Sequence, residues 1–205
     1  DMLVPSHEVE GRLAEIFGRW LAESNVLRDS RALYISGVYG GDFVEGRLLA
    51  LTQAAEAFHR RFYPGVYMEQ GQFDREVLAP LTAAIPPSIS DAHRLSILSR
   101  LKFGNELSQR RRFTELFRKY SAALRVLAND PLAYVNRIVD HRNELTHFPA
   151  PAVTPERPPT EPEEVLKYNL LLRLLLECSF LTVMGFSDDE IAGLANASET
   201  YRQYS

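Results

Sequence analysis

Cysteine is almost absent. The 205-residue chain holds one, Cys178, so no intrachain disulfide can form and the fold must rest on a core. Cys178 sits among Leu174, Leu175, Phe180 and Leu181, a setting for a buried filler and not for a nucleophile. Long unbroken apolar runs are also missing. The most apolar stretch, residues 166–186, is interrupted by Lys167, Arg173 and Glu177; it reads as a core helix, not a membrane span. No basic segment leads into an apolar one at the start, so no secretory leader is expected. Gly37 and Gly40-Gly41 lack the strand–loop–helix order and the closing Lys-Ser/Thr of a phosphate loop. A large positive charge is lacking too: Lys plus Arg total 23 against 27 Asp plus Glu, a net charge of −4, which excludes a strongly basic nucleic-acid coat. These absences together fit a cytoplasmic protein.

What is present is ordinary for a folded chain: 45% hydrophobic and 24% charged residues, enough to bury about two thirds of the unfolded surface. The charge is uneven. Residues 91–147 hold 11 basic and 6 acidic residues, so an acidic protein can still offer a cationic face. A patchy helical surface explains the same count.

Helical periodicity runs through most of the sequence. A first helix is expected from Ser6 to Leu27, with Leu13, Ile16, Phe17, Trp20 and Leu21 as its seam. The β-prone run Leu33 to Tyr39, ending in Gly40-Gly41, predicts a short extended connector or hairpin fragment. Further helices are expected at Phe43–Phe62, at Phe73–Ala84 with a kink or division at Pro80, from Ser90 or Ser88 to Leu107, and from Ser108 to Leu127. Asp130-Pro131 opens a helix to Thr146. Six of the 12 prolines then fall between Pro149 and Pro162, a stiff extended loop. A long helix from Glu163 to Met184 follows, and Ser187 to Glu190 forms a capping box for a last helix to Tyr201. The domain reading is an N-terminal helix and connector over residues 1–40, and an all-α helical domain over 41–205.

The chemistry concentrates in residues 140–147, Asp-His-Arg-Asn-Glu-Leu-Thr-His. Arg142 falls in the apolar stripe of Val135, Ile138, Val139 and Leu145. A guanidinium cannot shed its proton, so on such a stripe it needs an acid, an open cleft or a phosphate. His147 is the last residue that can be helical, because Phe148 precedes Pro149. Five helical residues turn a side chain by about 140°. A loosened last turn permits the two tips to converge but does not demand it. The plainer reading pairs Arg142 with an internal acid and leaves His147 at its helix C-terminus, worth roughly 0.3–1 kcal/mol.

Arg142-Asn143-Glu144-Leu145-Thr146-His147 resembles the R-x(4–6)-H motif of HEPN domains, with a polar residue directly after the arginine. Residues 51–60 (LTQAAEAFHR), residues 101–108 (LKFGNELS) and the following Arg110-Arg111-Arg112 are similar to the ApeA-like branch. The resemblance covers roughly residues 43–185. It implies a HEPN-like helical bundle that dimerises, with two motifs facing each other in a metal-independent endoribonuclease site acting in defence or stress. On that reading Arg142 and His147 are the catalytic pair, Asn143 orients them, and no metal or cofactor takes part. The implied partners are RNA, a second copy, and a sensor domain N-terminal to this region in a longer protein. The alternative is a non-catalytic HEPN module that dimerises and binds RNA, nucleotide or a protein; a generic helical adaptor is a third reading.

Arg110, Arg111 and Arg112 are the candidate RNA-binding residues, with a solvated cationic face as the plainer account. Glu56 and Arg60 have the spacing of a helix-surface pair, and Glu56 is also a candidate partner for Arg142. His141, Glu144 and His147 do not follow the His-Glu-x-x-His zinc pattern, and no metal site is expected.

Overall fold

The computed structural model describes residues 4, 9–41, 43–147 and 160–204. Its helices are α1 (Leu13–Ala22), α2 (Ser24–Tyr39), α3 (Val44–Phe62), α4 (Gln70–Phe73), α5 (Ala79–Ala83), α6 (Asp91–Leu101), α7 (Gln109–Lys119), α8 (Ser121–Leu124), α9 (Ala133–His147), α10 (Pro162–Val183), α11 (Asp188–Ala197) and α12 (Glu199–Arg202). Among the described residues there is no strand, only an isolated antiparallel bridge between Val66 and Glu106. The fold is all-α. Two compact units divide the chain, residues 63–108 and the remainder.

The larger unit is built on α10. Leu171, Leu172, Leu174, Leu175, Leu176 and Cys178 are all fully buried, so this helix is apolar nearly all round and lies in the core. Each such leucine contributes about 1.5–3 kcal/mol of burial free energy. Burial also pushes the Cys178 thiol well above its ordinary pKa, which makes it an inert filler. Helix α3 turns Leu48, Leu51, Ala55 and Phe58 inward, the seam expected from spacing. A half-buried acid joins three helices: Glu177 of α10 accepts from Tyr34 of α2 and Tyr201 of α12, each at 2.6 Å, and from Arg173 at 2.9 Å. Burial first, then the Glu177 charge, raises both phenol pKa values. The Ser187–Glu190 capping box is formed.

The expected connector at Leu33–Tyr39 is instead the end of α2, which runs unbroken from Ser24 to Tyr39. Local β-propensity loses to packing against α3. A Cβ at Gly37 would lie 3.0 Å from Leu51 Cγ, so glycine permits the close approach; Ser30 Oγ also donates to the Ala54 carbonyl at 2.9 Å. The single helix expected from Ser6 to Leu27 is divided. Ser6 lies outside the described residues, α1 begins at Leu13, and the helix is interrupted at Glu23. Of the expected α1 seam only Ile16 is buried, while Leu13, Phe17 and Leu21 are exposed. The segment Ser108–Leu127 breaks at Tyr120 into α7 and α8, yet Phe113, Leu116, Phe117, Tyr120 and Leu124 are all buried as expected. The proline-rich loop expected over 149–162 falls mostly outside the described residues.

In the unit of residues 63–108, a π-helical turn at Asp74–Leu78 separates α4 from α5, and Pro80 falls in the first turn of α5, where a missing N–H is tolerated. Ser90 caps α6. That helix stops at Leu101 and not at Leu107, because Asn105 is tied to the segment before α4: its carbonyl accepts from Tyr67 N, and its side chain bonds both Met68 N and Met68 O.

Candidate functional site

Helix α9 presents three faces. Val135, Ile138 and Val139 are buried. At about 100° per residue, Arg142 points along the middle of that apolar stripe. Its Nη1 donates to Asn143 Oδ1 at 3.1 Å. Its Nε is buried without a hydrogen-bond partner, and no acid pairs with it among the described residues. The internal acid weighed from sequence is therefore not Glu56, which accepts from Arg60 at 3.0 Å and Gln109 at 3.0 Å.

One flank carries Asn136, Asp140, Asn143 and His147 at spacings of four, three and four, a continuous helical stripe. It faces α7. Arg110 Nη1 donates to Asn136 Oδ1 at 2.6 Å, and its Nη2 donates to Asp140 Oδ1 at 2.8 Å. His147 ends the stripe and is exposed. The last turn is not loosened: α9 stays helical through His147, and Thr146 Oγ1 donates back to the carbonyls of Arg142 and Asn143 at 3.1 and 3.2 Å. Asn143 relates the arginine to the flank of His147. Asn143 directly follows Arg142, holds its guanidinium, and lies four residues before His147 on the same flank, where side chains are neighbours. The polar residue after the arginine thus draws the guanidinium toward the flank on which His147 lies.

The opposite flank faces α10. Arg137 Nη1 donates to Glu164 Oε1 at 2.7 Å. Tyr134 and His141 both lie edge-on to Tyr168, with ring centroids 6.2 and 6.3 Å away. His141 Nδ1 is 3.5 Å from Glu144 Oε2, an ion-pair distance, but neither ring nitrogen makes an aligned hydrogen bond. His141 therefore serves packing and does not share a face with His147. Among the described residues no three His, Cys, Asp or Glu side chains cluster as metal ligands would.

The candidate RNA-binding arginines point in three directions. Arg110 lies on the α9 stripe, its side chain 41% exposed. Arg111 donates to Glu115 on its own helix at 3.0 Å. Arg112 is 1% exposed and cannot touch a polyanion from there; it donates to His59 Nδ1 at 3.2 Å. Because Nδ1 accepts that bond, His59 Nε2 carries the proton and donates to Glu115 Oε2 at 2.9 Å. Burial, and secondarily Arg112, lower the His59 pKa, with Glu115 opposing. Sequence reading missed the Asn136–Asp140 anchorage of Arg110, although its helical spacing is visible in residues 136–147.

No helix among the described residues is long and apolar enough to cross a membrane. The family model described as Apea-like HEPN matches residues 49–190, which includes all of α9. No curated protein and no solved structure matches the chain.

Proposed function

The chain belongs to the Apea-like HEPN family, and from that premise we propose that it is a metal-independent endoribonuclease working as a homodimer. One observation carries the reading: Arg142, on the apolar stripe of α9 with no acid partner among the described residues, is held by Asn143 beside the stripe that ends in exposed His147. A half-buried guanidinium without an acid partner, on the same helix end as an accessible imidazole, suits a phosphate diester.

The reaction follows from these groups. A ribose 2′-OH attacks the adjacent phosphorus, forming the 2′-O–P bond, while the P–O5′ bond breaks. An imidazole accepts the 2′-OH proton, and a protonated imidazole donates one to the leaving 5′-oxygen. Products are a 2′,3′-cyclic phosphate and a 5′-OH. Each protomer offers one His147, so two motifs facing each other supply base and acid together. Histidine suits both roles because its ordinary pKa lies near neutrality. Arg142 meets the extra negative charge of the phosphorane, and Asn143 fixes its direction.

Purified protein is expected to cut single-stranded RNA in the presence of EDTA and to leave cyclic-phosphate ends. RNA binding without cleavage would favour the non-catalytic module instead.

A further inference from the structure

We propose that Arg110 is a specificity-determining residue that binds an RNA phosphate neighbouring the scissile one, so that efficient substrates extend beyond a dinucleotide. The proposal rests on the RNA-directed reading of α9 and names a second contact on the same stripe. Arg110 comes from α7 but is fixed to α9 by two hydrogen bonds, to Asn136 at 2.6 Å and Asp140 at 2.8 Å. A guanidinium has five N–H donors, and this one commits a single bond from each of two nitrogens while 41% of the side chain remains exposed. The remaining donors stay unspent on a partly exposed side chain fixed at two points, an arrangement pre-ordered for an anion.

Position sets the role. Asp140 lies seven residues before His147, about 10 Å along the helix axis at 1.5 Å per residue. That exceeds the span of one phosphate group, so Arg110 meets a different nucleotide from the one cleaved at His147. Asp140 alone would repel a phosphate there. Pairing with Arg110 neutralises it, and Asn136 and Asn143 add neutral polar groups along the track. On the other flank Arg137 is held at one point only, by Glu164 at 2.7 Å, with its side chain 65% exposed, so it lacks the two-point fixation of Arg110.

Arg110→Gln and Arg137→Gln remove the same charge from opposite sides of α9. For Arg110→Gln, the log-affinity slope against log salt for a 2′-deoxy-blocked RNA oligonucleotide is expected to fall by about one phosphate contact, with affinity about tenfold weaker. Arg137→Gln should leave both unchanged. Cleavage of an oligoribonucleotide should fall by a similar factor in Arg110→Gln, while cleavage of a dinucleoside monophosphate should not change. Equal losses on the two substrates, or equal slopes in the two variants, overturn the proposal. Should the wild-type chain bind RNA without cutting it, the ribonuclease reading fails, yet the salt slope still decides Arg110. Thermal melts identify a folding defect in Arg110→Gln; Arg110→Lys then serves in its place, expected to bind more weakly than wild type because one ammonium is a point charge without the guanidinium fork.

Discussion

The two flanks of α9 carry similar polar residues and differ in what they do with them. Toward α10, Arg137 is tethered at one point to Glu164 and otherwise exposed, and His141 is closed against Tyr168. Toward α7, Arg110 is fixed but open, Asn143 holds Arg142, and His147 reaches solvent. Both flanks present a histidine, an arginine and an acid. Residue type alone therefore does not mark the proposed site; what sets the α7 flank apart is an arginine fixed at two points in line with an imidazole open to solvent. The sharpest break of this contrast is His147→Ala. Loss of a general acid–base group is expected to lower RNA cleavage by about 10²–10⁴-fold. Because His147 is exposed, stability should stay within about 0.5 kcal/mol. Cleavage assays with a thermal melt check both, and full activity in the variant would remove His147 from the mechanism.

Arg142→Met comes next. It should cost about 10²–10³-fold in cleavage while leaving stability unchanged or raised by about 1 kcal/mol. The native guanidinium buries an Nε without a partner, and a flexible apolar chain of similar length removes that cost. Denaturant unfolding set beside activity tests the opposition. A large loss of stability would mean that Arg142 is a structural residue with a partner. Asn143→Ala should cost less than either, about tenfold in kcat with little change in KM, because it frees the guanidinium without removing it. A purely structural Asn143 would instead lower the melting temperature and leave kcat alone.

The bundle itself carries a third histidine on which neither flank depends. His59 is fully buried, neutral and doubly bonded, with its pKa lowered from the ordinary 6.5. Below that value the unfolded chain binds a proton that the folded one resists. Its contribution to stability is therefore complete above about pH 6.5 and is lost as pH falls toward the depressed folded value. Melting temperatures measured from about pH 8 to about pH 5 should decline, and the decline should be shallower in His59→Gln. Equal slopes would assign the acid sensitivity elsewhere.

Much of this architecture was legible from periodicity. The α3 seam, the α7 stripe through Phe113 and Phe117, and the Ser187 capping box all appear where spacing puts them. The failure at Leu33–Tyr39 has a clear cause. Isoleucine, valine and tyrosine there favour strands locally, but Gly37 against Leu51 is a long-range contact that no local window contains. The candidate site was legible in composition and not in connection. Arg142 and His147 stand out, yet their 140° offset suggests a frayed turn, and the bond from Arg142 to Asn143 needs side-chain geometry. Three adjacent arginines likewise read as one patch. Successive helical residues turn by about 100°, so Arg110, Arg111 and Arg112 serve an open stripe, a surface pair and a buried imidazole.

The smallest expected effect is the one that isolates the comparison. His141→Phe keeps a planar ring against Tyr168 and removes two nitrogens that make no aligned hydrogen bond. Phenylalanine adds modest bulk, so the cost of overpacking and the gain from losing orphaned polar atoms roughly offset, within about 1 kcal/mol. Cleavage should stay within about twofold, since His141 faces α10 and not the stripe of His147. The paired variant His147→Phe should be stable and inactive. If instead His141→Phe abolished cleavage with stability intact, the two flanks would have been assigned the wrong way round, and the imidazole against Tyr168 would be the one at the phosphate.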